Sequence, residues 1–200
     1  MPQKPSRQIL YIASRNDGKF AEFRGLISDG RWILQSLNTF GSELNWEENG
    51  RTFYENARIK AHAVRARTGE AVLADDSGLV VPGLRGAPGV MSRRYAGPEG
   101  DDEANNAKLM LAIKDVPADQ RQCEFVCCLV FIDSAGHEFR FTGSCKGTIL
   151  AEPRGAQGFG YDPLFLVEGT TKTMAELPMD EKNKLSHRAR AVQAWSTRFG

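Results

Sequence analysis

The sequence predicts an α/β fold built on a mixed β-sheet with flanking helices. Strand-like apolar segments alternate with segments of helical spacing in the first part of the chain, a pattern typical of α/β proteins. A hairpin pattern follows in the second part, and its antiparallel strands would make the sheet mixed. The 200 residues are 41% hydrophobic and 26% charged, which excludes a disordered or fibrous chain.

The first half of the chain is predicted to contain three strands and two helices. A polar tail of residues 1–7 precedes them, and one domain is expected over residues 8–200. We expect strands at residues 8–14, 32–37 and 71–74 and helices at 19–27 and 52–68. A turn at 15–18 precedes the first helix, and an acidic loop at 39–50 precedes the second. Thr52 and Glu55 fit a capping box at the start of the long helix, and the third strand is expected to end in the segment Asp75-Asp76-Ser77-Gly78.

The second half is predicted to contain a structured loop, a helix, a hairpin and a C-terminal helix. The expected segments are a loop at 79–95 rich in glycine and proline, a helix reaching about 113, strands at 124–133 and 138–145 with a continuation at 147–150, and a helix at 186–199. Asp101 or Asp102 can cap the first of these helices, and Ser186 the last. A four-residue turn that contains Gly136 makes the hairpin the clearest in the chain.

Charge and hydropathy exclude two broad classes of protein. Lys and Arg number 26 against 25 Asp and Glu, a net charge of +1, whereas a general nucleic-acid binder carries a larger basic excess. The longest apolar run, Phe125–Ile132, has eight residues, far short of the roughly 20 that span a bilayer. Ile9–Ala13 is too short for the hydrophobic segment of a signal peptide. We therefore expect neither a nucleic-acid partner nor a membrane partner.

The cysteines indicate a reducing compartment. They are Cys123, Cys127, Cys128 and Cys145. None forms a C-x-x-C pair, and no histidine stands at metal-ligand spacing from them. Reduced, buried thiols are expected, which favours a cytoplasmic protein.

A strand–turn–helix segment at the N-terminus is a candidate phosphate site. It reads Ser14-Arg15-Asn16-Asp17-Gly18-Lys19. Gly18 would let the backbone turn closely, the helix N-terminus would present N–H groups, and Lys19 would add a positive charge. It is not a Walker A loop, because Ala13 stands in the place of the first glycine. An ordinary turn and helix cap is the alternative.

Acidic residues after the third predicted strand are candidate metal ligands. Asp75 and Asp76 follow four apolar residues, and ligands of open α/β sheets bind beyond the carboxyl ends of strands. Adjacent strand residues point to opposite faces, so only one of the two aspartates need enter a given cleft. Glu48, next to Glu47, could supply a second carboxylate, and a carboxylate pair with substrate phosphates is a usual way to hold Mg²⁺. Solvated acidic segments are the alternative at both places.

Two further segments could bind a nucleotide. In Gly158-Phe159-Gly160-Tyr161-Asp162-Pro163, glycines flank an aromatic ring and would expose its face for base stacking. Ser186-His187-Arg188, with Lys182 nearby in sequence, would bring an imidazole, a guanidinium and N–H groups to one helix start. A plain turn around a core phenylalanine and a structural histidine are the alternatives. Together the segments would supply a phosphate turn, a carboxylate pair for a metal, an aromatic ring for the base and a cationic helix start. These groups suit the hydrolysis of a nucleoside triphosphate.

These motifs resemble those of the inosine triphosphate pyrophosphatase family. The matching blocks are Ser14-x-Asn16-x-x-Lys19, Glu48-x-Gly50-x-Thr52-Phe53-x-Glu55-Asn56-Ala57-x-x-Lys60-Ala61, Ala74-Asp75-Asp76-Ser77-Gly78-Leu79, Gly86-x-Pro88-Gly89-x-x-Ser92-x-Arg94-Tyr95, Gly158-Phe159-Gly160-Tyr161-Asp162-Pro163-x-Phe165, Ala175-Glu176-Leu177 and Ser186-His187-Arg188. They occur in the family's order and span residues 9–195, almost the whole chain.

The resemblance implies an XTP/dITP diphosphatase that cleanses the nucleotide pool of deaminated purines. Such an enzyme cuts dITP, ITP and XTP to the monophosphate and pyrophosphate with Mg²⁺. The implied fold is an elongated, mixed, twisted β-sheet with flanking helices, in two lobes around a nucleotide cleft. The implied assembly is a homodimer.

The resemblance also implies roles for individual residues. Asp76 would activate the attacking water, and Glu48 would hold Mg²⁺ together with Asp76. The triphosphate would lie on residues 14–19 and Lys182. Contacts to the nucleotide would come from Ser77, Phe159, Gly160, Tyr161, Asp162, His187 and Arg188. The role of Asp75 stays open.

Two other functions compete with this one. A Maf-type enzyme would hydrolyse pyrimidine or modified nucleoside triphosphates, and the motifs around Phe159 and His187 argue against it. A nucleotide-binding regulator without catalysis needs no acid to activate water. The presence of Glu48, Asp75, Asp76 and Lys19 therefore disfavours it.

Overall fold

The computed structural model describes residues 7–28, 30–40 and 44–200, and its central feature is a six-stranded β-sheet. The strands are β1 (Gln8–Ile12), β2 (Trp32–Ser36), β3 (Ala71–Val80), β4 (Gln122–Ile132), β5 (Glu138–Ile149) and β6 (Phe165–Val167). Their order across the sheet is β2-β1-β3-β4-β5-β6. β1 runs parallel to β2 and β3, whereas β5 and β6 are antiparallel. The predicted mixed sheet is confirmed; the predicted tail, apart from Arg7, lies outside the described residues.

Five α-helices accompany the sheet in the described ranges. They are α1 (Asp17–Leu26), α2 (Phe53–Thr68), α3 (Asp102–Ile113), α4 (Met179–Leu185) and α5 (His187–Phe199). The Thr52 hydroxyl accepts a hydrogen bond from the Glu55 N–H and begins α2, which ends at Gly69 with φ +71°. The Asp101 carboxylate caps α3 in the same way. Across the part of the chain described here, none of the helices has the length and apolar character needed to cross a membrane.

Some predicted boundaries were wrong. β3 does not end at the aspartates but continues through both of them to Val80. β5 runs to Ile149 and so includes most of the predicted continuation at 147–150. α1 begins at Asp17, so the turn before it is shorter than residues 15–18 and Gly18 lies in the helix. The strand can continue through its acidic residues because each buried carboxylate has a partner on a neighbouring helix, Lys19 for Asp75 and Asn56 for Asp76.

The structure divides into two units, each with its own core. The first comprises the described residues up to Asp76, Cys128–Thr142 and Ala191–Gly200, and the second comprises Ser77–Cys127 and Gly143–Arg190. The first core includes Ala57, Ala61, Val64, Val72, Ala74, Val130 and Ile132. The second includes Leu79, Leu109, Ile113, Phe125, Tyr161, Phe165 and Leu177. The single domain expected over residues 8–200 stays a prediction.

The cysteines are buried thiols, as predicted. Three lie on β4 and the fourth, Cys145, on β5. Burial raises the pKa of the Cys123 thiol, which keeps it protonated and unreactive at neutral pH.

One face of α2 is attached to the start of β5 through Glu138. The Glu138 carboxylate accepts hydrogen bonds from the Tyr54 hydroxyl at 2.6 Å and from Arg58 Nε at 3.0 Å, and His62 Nε2 lies 2.7 Å from it. Tyr54, Arg58 and His62 are four residues apart and therefore share one face of the helix. Burial opposes ionisation of Glu138, but these donors outweigh it and lower the pKa of the carboxyl.

Replacing Glu138 by glutamine is expected to lower the free energy of unfolding at pH 7 by about 1 kcal/mol, because two of the partners are largely exposed. Since the pKa of Glu138 is lower in the folded state, this stabilisation exists above the unfolded value of about 4.3 and is lost as the pH falls through the folded value. Urea unfolding at pH 7 and below pH 4 checks this, with Glu152→Gln as an exposed control. A deficit in Glu138→Gln that persists at acid pH would contradict it.

Candidate functional site

The segment at residues 14–19 forms the cap of α1. The Asn16 side chain accepts a hydrogen bond from the Lys19 N–H at 2.9 Å, and the Ser14 hydroxyl accepts one from the Asn16 N–H at 3.2 Å. Arg15 Nη2 donates to the Leu44 carbonyl at 2.5 Å. The Asp17 carboxylate accepts from the Asn38 amide at 3.0 Å. The predicted strand–turn–helix arrangement is therefore present, with a helix N-terminus that can present N–H groups to an anion. Phosphate binding at this segment stays a prediction.

Lys19 forms an ion pair with Asp75. The Lys19 ammonium lies 2.9 Å from an Asp75 carboxylate oxygen, and the Asp75 side chain is fully buried. A buried carboxylate of this kind needs a charged partner. Asp75, to which the sequence assigned no role, thus holds Lys19 at the start of α1.

The second aspartate of β3 meets α2 instead. One Asp76 carboxylate oxygen lies 3.2 Å from the Lys60 ammonium, and the other accepts a hydrogen bond from the Asn56 amide at 3.1 Å. The two aspartates thus contact different helices, as the alternation of strand side chains predicts.

Asn56 and Lys60 are candidate site residues, because both contact Asp76, and the sequence reasoning did not select them. Both are buried, on the same face of α2 as Ala57, Ala61 and Val64. The signal was present in the sequence as two polar residues four apart between small apolar residues, a spacing that places them together on the buried face of a helix.

Glu48 shares the Lys60 ammonium with Asp76. Its carboxylate lies 3.4 Å from the Lys60 nitrogen and accepts a hydrogen bond from the Trp46 indole at 3.4 Å. The loop that carries Glu48 is attached to α2, because the Gly50 N–H donates to the Asn56 side chain at 2.8 Å. We call Glu48, Asn56, Lys60 and Asp76 the carboxylate cluster.

Opposite pKa shifts separate the two acids of the carboxylate cluster. Burial raises the pKa of Asp76 even though Lys60 and Lys19 oppose this. Burial also disfavours the Glu48 anion, but Lys60 and the Trp46 hydrogen bond outweigh it and lower the pKa of Glu48. The raised Asp76 pKa suits a general base, and the lowered Glu48 pKa suits a permanently charged ligand.

The carboxylate cluster fits a hard divalent cation. The described ranges contain no group of three or more His, Cys, Asp or Glu that could hold a metal by itself. Glu48 and Asp76 nevertheless converge on one cationic group, the Lys60 ammonium. Mg²⁺ in phosphate-processing sites is held by one or two carboxylates together with substrate oxygens and water. The two acids are therefore sufficient as the protein's share of such a site.

The aromatic loop, residues 158–163, is fixed by buried contacts in the second unit. The Asp162 carboxylate accepts hydrogen bonds from the Lys182 ammonium at 2.6 Å and from the Phe159 N–H at 3.1 Å. The Tyr161 hydroxyl donates to the Ser92 carbonyl at 2.8 Å, and burial raises the pKa of Tyr161. Gly158 has φ +81°, and a Cβ there would overlap the Asp162 carboxylate, so only glycine fits.

The Phe159 ring is half-buried and lies beside two cations. The Lys182 ammonium is 5.0 Å and the Arg188 guanidinium 6.0 Å from the ring centroid. Arg188 also donates to the Ser77 hydroxyl at 3.4 Å. The ring is therefore outside the buried core, which disfavours the alternative that Phe159 is a core residue.

α5 begins after Ser186, as predicted, and its first residue, His187, stacks on Phe125. The Ser186 hydroxyl accepts a hydrogen bond from the Ala189 N–H at 3.1 Å and caps the helix. His187 is buried, and its ring stacks on Phe125 with a centroid distance of 4.9 Å. The predicted nucleotide contacts of His187, Arg188 and Tyr161 stay predictions.

Comparisons with known proteins agree with the motifs. A model described as the Ham1 family matches residues 10–197. A dITP/XTP pyrophosphatase of Geobacter sulfurreducens is 45% identical over 191 residues, with 96% of each chain covered. One of Bacillus subtilis is 45% identical over 186 residues, covering 92% of this chain and 93% of its own. The solved HAM1 protein of Coxiella burnetii has a TM-score of 0.86 at 38% identity, covering 96% of this chain and 98% of its own. This chain therefore belongs to the Ham1 family.

Proposed function

We propose that this chain hydrolyses deaminated purine nucleoside triphosphates, namely dITP, ITP and XTP, to the monophosphate and pyrophosphate. The observation that carries the proposal is the carboxylate cluster, in which a buried acid of raised pKa lies beside a second acid of lowered pKa. Relatives that are 45% identical over almost the whole chain are named dITP/XTP pyrophosphatase. Such an activity would remove deaminated purines from the nucleotide pool.

Within this proposal, Asp76 is the general base. It accepts the proton of the attacking water as that water approaches the triphosphate, and a carboxyl with a raised pKa is a stronger base than an ordinary aspartate. Lys60 and Asn56 fix the two oxygens of the Asp76 carboxylate. Glu48 and Asp76 would hold Mg²⁺. That ion, when bound, supplies positive charge to phosphate oxygens.

The triphosphate is proposed to bind at the start of α1 and at Lys182. The N–H groups of the first turn favour anions, and Lys19 stands on that turn. Lys19 and Lys182 each form an ion pair with a buried aspartate, which holds the ammonium groups in place. Positioned cations matter because phosphoryl transfer depends mainly on orientation and charge neutralisation.

The base is proposed to stack on Phe159. Arg188 lies beside that ring, and its donors, with nearby backbone N–H groups, could pair with the 6-carbonyl of hypoxanthine or xanthine. Adenine presents an amino donor at that position and would leave those donors unpaired. A site built on such hydrogen bonds can reject the wrong base by roughly 10⁴-fold.

Pyrophosphate release tests the proposal directly. The protein is assayed with Mg²⁺ against dITP, ITP, XTP, dGTP, dATP, dTTP and UTP. Strong turnover of the first three alone is expected. Preference for dTTP or UTP would assign the chain to the Maf-type activity, and binding without turnover would indicate a regulator.

We also propose that the protein is a homodimer, as the resemblance implies, and that it is cytoplasmic, as its reduced cysteines indicate. Light scattering after size-exclusion chromatography measures its mass in solution. A single peak at the mass of one chain, at micromolar concentration, would contradict the dimer.

A further inference from the structure

The backbone of Gly160 is held on both sides by α3. Its N–H donates to an Asp102 carboxylate oxygen at 2.7 Å, and its carbonyl accepts from the Asn106 amide at 2.9 Å. Asp102 and Asn106 are four residues apart and therefore lie together on one face of the helix. Both contacts fall within the second unit.

Asp102 is available for this contact because its neighbour caps the helix. The Asp101 carboxylate accepts hydrogen bonds from the Glu103 and Ala104 N–H groups at 2.8 and 3.2 Å. Formation of α3 therefore does not require the Asp102 side chain. The sequence supplies two consecutive aspartates with separate tasks, one within the helix and one towards the aromatic loop.

The aromatic loop has a local reason to need this support. Gly160 has φ +62°, and without a Cβ a glycine has more accessible backbone conformations than any other residue, so it needs contacts to hold it in one of them. The preceding N–H in the chain, that of Phe159, donates to the Asp162 carboxylate. Two consecutive N–H groups are thus bound by two carboxylates from different elements, and the Phe159 side chain stands between them in the chain.

We propose that Asp102 and Asn106 are positioning residues for base recognition. They fix the backbone of Gly160, and this orients the neighbouring Phe159 ring for stacking on the base. The proposal rests on the proposed function, in which a purine stacks on Phe159. A loop that is already ordered avoids the entropy cost of ordering upon binding. Neither residue belongs to the carboxylate cluster, so their loss is expected to weaken substrate binding while leaving the chemical step intact.

Steady-state kinetics with dITP tests the proposal. Asp102→Ala and Asn106→Ala are expected to raise KM about 10-fold, the effect of losing one ordinary hydrogen bond and the order it provides, with kcat within about 2-fold. Asp102→Asn should restore most of the wild-type KM, because its amide oxygen can still accept from the Gly160 N–H. Asp101→Ala, which removes the cap instead, should lower the melting temperature without raising KM.

The result that would overturn the inference is an unchanged KM in Asp102→Ala, or a fall in kcat at constant KM. A rise of KM in Asp101→Ala equal to that in Asp102→Ala would overturn it as well, because the effect would then follow from α3 stability.

A second readout does not depend on turnover. In a Phe159→Trp background, the fluorescence of the introduced indole is measured by subtracting the signal of the protein that keeps Phe159. Acrylamide quenching of this indole should be greater with Asp102→Ala than with Asp102→Asn. Equal quenching would overturn the inference. Wild-type protein that does not hydrolyse dITP, together with unequal quenching, would overturn the proposed function but keep the loop-positioning role.

Discussion

Replacing Asp76 by asparagine is expected to lower kcat for dITP hydrolysis by about 10²- to 10⁴-fold, the usual worth of a general base. Asparagine keeps the shape of the side chain but cannot accept the proton of the attacking water. The dissociation constant for dITP should change by much less, because the proposed phosphate and base contacts lie on other residues. Calorimetric binding and single-turnover rates measure the two quantities separately.

The pH dependence gives the same assignment a second test. Burial raises the pKa of Asp76 in the free protein, so kcat/KM, which reports the free enzyme, should fall as the pH drops through a value above the ordinary aspartate pKa of about 3.9. In Asp76→Asn that acid limb should be absent from the residual activity. Asp119→Asn, on an exposed carboxylate, serves as the control. Near-normal turnover in Asp76→Asn would assign the base to another residue.

Replacing Lys182 by methionine is expected to cost about 3–5 kcal/mol of unfolding free energy, because it leaves the Asp162 carboxylate buried without its charged partner. The two groups are 2.6 Å apart, and their side chains are only 4% and 5% exposed. For a chain of this size the loss corresponds to a fall of roughly 6–20 °C in melting temperature. Thermal and urea unfolding measure it.

An exposed ion pair and a double variant test whether the lost stability comes from leaving the Asp162 carboxylate buried without its partner. Lys172 lies 3.4 Å from Glu181, with side chains 49% and 45% exposed, so Lys172→Met should cost less than about 1 kcal/mol. Adding Asp162→Asn to Lys182→Met should recover much of the lost stability, because no uncompensated charge then remains buried. Equal costs for Lys182→Met and Lys172→Met would contradict this account of the buried pair.

Elements with local signals could be predicted from the sequence. The Thr52 and Asp101 caps fix the starts of α2 and α3, and Ser186 that of α5. The hairpin was equally clear because its turn lies between two runs of strand-forming residues. In each case the determining residues are within a few positions of one another.

Pairings between distant residues could not be predicted in this way. β3 continues through Asp75 and Asp76 because Lys19 and Lys60, 56 and 16 residues away, neutralise them. The local sequence shows two acids after an apolar run, a pattern that predicts the end of a strand. Helical spacing places Asn56 and Lys60 on one buried face of α2, but it does not predict which strand that face meets.

The short helix α4 was missed for a different reason. It begins after Pro178 and comprises Met179–Leu185, with a sequence, MDEKNKL, that has too few apolar residues for a helical pattern. Its importance lies in Lys182, which it places beside Asp162 and Phe159. Motif resemblance identified this lysine, whereas periodicity did not.

The most direct test of the central claim is the identity of the products from dITP. The protein is incubated with dITP and Mg²⁺, and the nucleotides and phosphates are separated and quantified over the time course. We predict dIMP and pyrophosphate in equal amounts, and no such products from Asp76→Asn on the same time scale. Formation of dIDP and orthophosphate, or intact dITP bound to folded protein, would contradict the account.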